Sequence, residues 1–170
     1  MPEFRVRPAE LRDAAAIAQI YNQGIEDRIA TFETEPRSAA TIREQFAARA
    51  ATHPAVVVEA AGGLAAVAWT SEYRPRACYS GVAEVSVYVA RGARGHGAGR
   101  LALSTLIDAA QERGFWKLVS RIFPENEASR RLCTTLGFRE VGIYRRHARL
   151  DGQWRDCIIV ERLLGDASRS

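Results

Sequence analysis

Lysine is nearly absent from this chain. Of its 24 basic residues only Lys117 is a lysine, and the rest are arginine. Cysteine and histidine occur three times each. Cys78, Cys133 and Cys157 form no Cys-x-x-Cys pair, and their odd number argues against a disulfide framework and against a structural zinc site. His53, His96 and His147 are isolated, so we expect no metal. No apolar run approaches the roughly 20 residues that a membrane-spanning helix needs. The opening Met1-Pro2-Glu3-Phe4-Arg5 has no apolar signal core, which sets a cytoplasmic location and no membrane partner as the expectation. Repeats, low-complexity segments and Pro/Gly/Ser linkers are missing too. What is present is ordinary globular composition, 47% hydrophobic and 26% charged over 170 residues. We therefore expect a single domain over residues 1–165, followed by a frayed tail at 166–170. The net charge of +4 is too small to argue for nucleic acid. Built from arginine forks, it points instead to anionic ligands.

The chain alternates short apolar strands with amphipathic segments. Phe4–Arg7 reads as a strand ending at Pro8. Asp13 is placed to cap a helix burying Ile17, Ile20, Tyr21 and Ile25, and Ser38 to cap a second helix burying Ile42 and Phe46. A loop, 29–36, lies between them. Residues 55–60 and 64–70 form a hairpin around Gly62-Gly63, and a loop at 72–81 carries Arg74, Arg76 and Tyr79. Val82–Val89 alternates cleanly. A Gly/Arg loop follows at 91–99, then a helix over 101–113, a strand over 117–123 and a helix over 126–136. Two strands, 140–150 and 154–163, flank the hairpin turn Asp151-Gly152. Trp69, Trp116 and Trp154 read as core or hairpin packing, and His53 as a surface residue. The order β-α-α-β-β-β-α-β-α-β-β predicts an α/β (α+β) fold, a mixed sheet covered by helices rather than an all-parallel one.

Arg91-Gly92-Ala93-Arg94-Gly95-His96-Gly97-Ala98-Gly99-Arg100 carries the most chemistry. It joins a strand to a helix. Closely spaced glycines let the backbone approach a ligand, the helix N-terminus favours an anion, and Arg94 and Arg100 add charged donors. Together they read as a pyrophosphate cradle. No Gly-Lys-Ser/Thr follows, which excludes a Walker loop, and too few residues follow for a dinucleotide-binding fold with a substrate domain.

Arg94-Gly95-His96-Gly97-Ala98-Gly99 resembles the acetyl-CoA signature of the GNAT superfamily of N-acetyltransferases. Asn126-Glu127-Ala128-Ser129 with Leu136-Gly137-Phe138 resembles its next motif. Ile20-Tyr21-Asn22, the run from Thr31 to Pro36, Glu84 to Val89, and Trp154-Arg155-Asp156 resemble the phosphinothricin acetyltransferase branch. Residues 145–154 and 114–126 are similar to the arsinothricin N-acetyltransferases within it. The resemblance spans residues 4–165. It implies a largely antiparallel central sheet flanked by helices, acetyl-CoA as cosubstrate, and a homodimer. It also implies acetylation of the α-amine of a glutamate analogue carrying a phosphinate, arsinate or sulfoximine.

Glu84 shares a strand face with Ser86 and Tyr88. A carboxylate in so apolar a strand is costly unless paired or useful. It is either a solvated or salt-bridged residue or, as the resemblance implies, the general base whose pKa burial would raise. The resemblance assigns acetyl-CoA contacts to the backbone of Val87, Tyr88 and Val89, to Arg94, Gly95, His96 (through its N–H), Gly97, Ala98, Gly99 and Arg100, and to Asn126 and Ser129. Asn126 reads equally as a helix cap. Substrate contacts fall to Thr31, Phe32, Arg74, Arg76 and Tyr79; the other reading is simple loop packing for Thr31 and Phe32, and two exposed loop arginines for Arg74 and Arg76. Where many superfamily members carry an acidic tyrosine for the leaving thiolate, this chain has Cys133. Tyr88, Tyr144 or His147 could take that role, or the thiolate could leave unaided. The alternatives kept open are another acceptor (amino acid, aminoglycoside, polyamine or protein N-terminus) and a non-catalytic acyl-CoA-binding module.

Overall fold

Alternation along the central strands sorts their side chains onto two faces, and each face collects its own helices. The computed structural model describes residues 2–169. Strands β1 (Arg5–Pro8), β2 (Ala55–Ala60), β3 (Gly63–Glu72) and β4 (Val82–Val89) lie side by side, each antiparallel to the next. β5 (Lys117–Ile122) lies parallel to β4, and β6 (Arg139–Leu150) and β7 (Gln153–Leu163) close the sheet in the order β1-β2-β3-β4-β5-β7-β6. Val57, Val67 and Trp69 point to one face and pack on helices α1 (Ala14–Glu26) and α2 (Ala39–Arg49), against Ile17, Ile20, Ile25, Ile42 and Phe46. Their neighbours Val56, Val58, Ala66, Ala68 and Val85 point to the other. There they bury the apolar stripe of α3 (Ala98–Glu112), made of Ala102, Leu103, Leu106, Ile107 and Ala110. Helix α4 (Glu127–Thr135) adds Cys133 to that second cluster. Alanines on β3 let α3 approach the sheet closely.

The mixed, mostly antiparallel sheet and the element order match the expectation. Ser38 Oγ accepts from the backbone N–H of Thr41 at 3.1 Å, which caps α2. Asp13 departs from its expected part. Its side chain does not cap α1. It takes two hydrogen bonds from Arg7 at 2.8 Å each and one from the backbone N–H of Glu10 at 2.8 Å, closing the 3-10 turn that leads into the helix. The buried Asp13 thus ties β1 to α1. Of the three tryptophans only Trp69 is core. Trp116 covers Gly81 at the start of β4, where a Cβ would meet the ring at 1.9 Å. Trp154 stays half exposed beneath Arg149, whose guanidinium carbon lies 4.3 Å from the ring centre. His53 is half-buried, its ring 5.3 Å from that of Phe115, so it is not the surface residue expected. The expected frayed tail contains a 3-10 turn at Gly165–Ser168, and Ser170 lies outside the described residues.

Candidate active site

The pairing of β4 with β5 is short. It runs only from Val82 to Glu84 against Lys117 to Val119, and then the strands part. β4 stays with β3 as far as Val89, and β5 stays with β7 as far as Ile122. Each strand is committed to its outer neighbour, so a wedge opens between them beginning at Glu84. The inner edge of β4 beyond this point carries main-chain groups with no strand opposite. Val85 O is an exception, since it accepts from Ser120 Oγ at 3.0 Å.

Two cavities fill the wedge and share Ala30, Val87, Tyr88, Asn126, Ser129 and Leu132, so they form one groove. The outer part, about 510 Å³, is lined by Val89, Arg94, Gly95, Gly97, Ala98, Gly99 and Arg100. The inner part, about 150 Å³, holds Glu84, Ser86, Ser120, Arg121 and Cys133. The structure therefore gathers Glu84, the β4 residues 87–89, the glycine loop, Asn126 and Ser129 along one path. His96 is exposed on the loop and is not among the residues lining the groove.

The glycine loop is shaped by its backbone. Gly97, at φ +92° and ψ 0°, caps α3 without a side chain, and the helix begins at Ala98, earlier than the periodicity suggested. Gly99, in the first helical turn, sits where a Cβ would lie 3.0 Å from Val89 Cγ2, which lets the helix end approach the vacated edge of β4. The first-turn N–H groups of α3 lack intrahelical acceptors, an arrangement that favours an anion at a helix start. Arg94 and Arg91 both reach Asp27, with N–O distances of 2.7 and 2.9 Å. Those two guanidiniums, Arg91 first, hold Asp27 below the usual carboxylate range. Asp27, which the sequence did not single out, thus anchors the loop to the end of α1.

Asn126 caps α4: its Oδ1 accepts from Ser129 N at 3.2 Å, while its amide donates to Ile29 O at 3.3 Å. The cap reading holds, and the same side chain lines both parts of the groove. Burial pushes the Cys133 thiol up to about 11, so it is a neutral thiol at physiological pH. The Tyr88 phenol is shifted upward, chiefly by burial and then by Tyr21 beside it, its ring stacked on Trp69 at 5.2 Å. Tyr144 and His147 lie on exposed β6 with rings 4.9 Å apart.

The expected substrate residues are not brought together. Arg74, Arg76 and Tyr79 line a separate cavity of about 570 Å³ with His53, Arg113 and Phe115, and Glu84 is not part of its wall. Within the 73–81 loop Tyr73 lies edge-on to Tyr79, and the Arg74 guanidinium sits over the Tyr73 ring. Thr31 lines a third cavity beside Ser86, Tyr88 and Arg37. Phe32 packs edge-on at 4.7 Å against Phe123, a wall residue of the inner groove. Arg121 was missed by the sequence reading. Its Nη2 donates to Glu84 Oε1 at 2.6 Å. The only signal was its place at i+2 from the last residue of β5 paired with β4, and that pairing is invisible without the fold.

The family described as "Acetyltransferase (GNAT) domain" matches residues 3–139. The phosphinothricin N-acetyltransferase of Streptomyces coelicolor is 33% identical over 166 residues, covering 95% of this chain and 97% of that protein. The L-methionine sulfoximine/L-methionine sulfone acetyltransferase of Pseudomonas paraeruginosa is 32% identical over 167 residues, covering 97% and 96%. The crystal structure of a GNAT superfamily phosphinothricin acetyltransferase from Sinorhizobium meliloti, in complex with AcCoA, superposes with a TM-score of 0.91 at 28% identity, covering 98% of this chain and 91% of that one.

Proposed function

The chain belongs to the GNAT acetyltransferase family, whose acyl donor is acetyl-CoA, and from that premise we propose that it acetylates the α-amino group of a glutamate-like amino acid such as phosphinothricin, methionine sulfoximine or arsinothricin. The observation that carries the proposal is the single groove, glycine loop at one end and Glu84 at the other, opened where β4 and β5 part. The substrate class is supported by the named activities of the two relatives, aligned over nearly the whole chain. The cradle fits a pyrophosphate: glycines 95 and 97 face open space, α3 presents its N-terminus, and Arg100 adds charge.

In this reading Glu84 accepts one proton from the acceptor ammonium, because only the neutral amine attacks a thioester. Main-chain N–H groups of Val87–Val89 bind the thioester carbonyl and the negative charge that grows on its oxygen. The new C–N bond forms as the C–S bond breaks, and sulfur keeps the electron pair. The second nitrogen proton goes to that thiolate or to water. Transfer is direct, since Cys133 is a protonated thiol and a poor nucleophile. A homodimer in the cytoplasm is part of the proposal. The dimer is supported by the outer strand β6, which leaves Val141, Ile143 and Tyr144 about half exposed. The test is CoA-thiol release from acetyl-CoA with the three glutamate analogues, spermidine and an aminoglycoside, alongside a Glu84→Gln variant. We expect turnover with a glutamate analogue and a loss of about 10²–10⁴-fold in kcat for Glu84→Gln with acetyl-CoA binding kept. Turnover confined to the cationic amines, or full activity in Glu84→Gln, refutes the substrate class or the base respectively.

A further inference from the structure

Glu84 does not stand free in the groove. Arg121 holds it through one contact, Nη2 to Oε1 at 2.6 Å, and both line the same small inner cavity. Among the described residues, that is the only hydrogen bond the Arg121 side chain makes. A guanidinium is built to grip a carboxylate with two parallel N–H groups, so a single-point pair leaves much of the fork unused. Arg121 is also the more open partner, its side chain 53% exposed against 28% for Glu84.

An α-amino acid carries its ammonium and its carboxylate on one carbon. Any such acceptor that presents nitrogen to Glu84 brings a carboxylate beside it. The adjacent pair Glu84⁻ and Arg121⁺ is the head-to-tail complement of that zwitterion. We propose that Arg121 is the docking residue for the acceptor α-carboxylate. The incoming carboxylate takes the guanidinium fork, and Glu84 is handed from Arg121 to the ammonium whose proton it accepts. The exchange makes the base available only when an acceptor with a free α-carboxylate is seated. Amines without one have to break the Glu84–Arg121 pair without replacing it. This rests on the reading of Glu84 as the base.

The test compares kcat/KM for phosphinothricin with that for its α-carboxamide, in the wild-type protein and in Arg121→Ala and Arg121→Lys. Thermal melting and acetyl-CoA binding are measured on each variant as a check of folding. The wild type is expected to favour the free acid by about 10- to 100-fold, the weight of a charge-assisted hydrogen-bonded pair. In Arg121→Ala that ratio collapses towards one, mainly through a higher KM for the acid, and Arg121→Lys restores part of it. Equal use of acid and amide by the wild type, or a ratio unchanged in a folded Arg121→Ala, overturns the proposal. Failure of the base reading shows itself separately: Glu84→Gln would then keep its kcat, and the acid-to-amide ratio would still report on Arg121.

Discussion

Gly97 is the residue on which the glycine loop proposed to hold acetyl-CoA turns, and replacing it by alanine isolates the cost of that turn. Its φ of +92° lies where an L-residue is strained, yet nothing stands within 4 Å of the added methyl, so no steric clash confuses the result. A left-handed alanine costs about 1–2 kcal/mol. That energy has to appear in one of two places. If the fold holds the loop in its present shape, the melting temperature falls by about 2–8 °C, taking about 2–4 °C per kcal/mol for a chain of this size. If the loop relaxes in the free protein, acetyl-CoA has to re-impose the shape on binding. Its KM then rises by about 5- to 30-fold, the same energy expressed as an equilibrium constant. Gly95, His96 and Gly97 are all exposed, so little holds the strained form, and the second outcome is expected. The assay is a titration of acetyl-CoA in the CoA-release reaction with a parallel melt. Gly62→Ala is the control, since Gly62 needs no positive φ and its methyl meets nothing within 4 Å. It should be neutral or stabilising by up to about 1 kcal/mol. A Gly97→Ala protein with both melting temperature and KM unchanged would refute the claim that this turn shapes the site.

Leu106, fully buried between α3 and the sheet, should cost about 2–5 kcal/mol on truncation to alanine, read as a lower midpoint in urea at constant slope. Asp13 is held below the ordinary carboxylate range first by its hydrogen bonds from Arg7. Its contribution to stability is therefore complete above the unfolded carboxyl value near 3.8 and is lost as the pH falls through the lower folded value. The urea midpoint should drop on acidification below about pH 4, and less steeply in Asp13→Asn; equal slopes would remove Asp13 from the account. Cys78 is exposed, whereas Cys133 is buried with its thiol pushed up to about 11. Iodoacetamide at neutral pH should label Cys78 first and leave Cys133 unmodified until the protein is unfolded, as peptide mass mapping would show.

The local signals that the chain carries were legible because they act over a few residues. Alternation in Val82–Val89 marked a strand that buries Val85 on one face and carries Glu84 on the other. Ser38 announced its cap, Asp151-Gly152 its hairpin, and the glycine spacing from Gly95 to Gly99 its left-handed turn into α3. Asp13 shows where local rules give way. As a sequence it is a good N-cap, but Arg7, six residues earlier on β1, offers its carboxylate two charged hydrogen bonds. Arg74, Arg76 and Tyr79 lie close to Glu84 in sequence, yet they line another cavity. The sequence by itself determined the elements, their order, the glycine turn and the side of β4 on which Glu84 sits, because each depends on neighbours within one turn or one strand. Only the tertiary structure decided where β4 leaves β5, that Asp27 anchors the loop arginines and that Arg121 meets Glu84. Those contacts join residues 37 to 67 positions apart, and no spacing rule reaches across a crossover helix or a sheet register that exists only once the chain has folded.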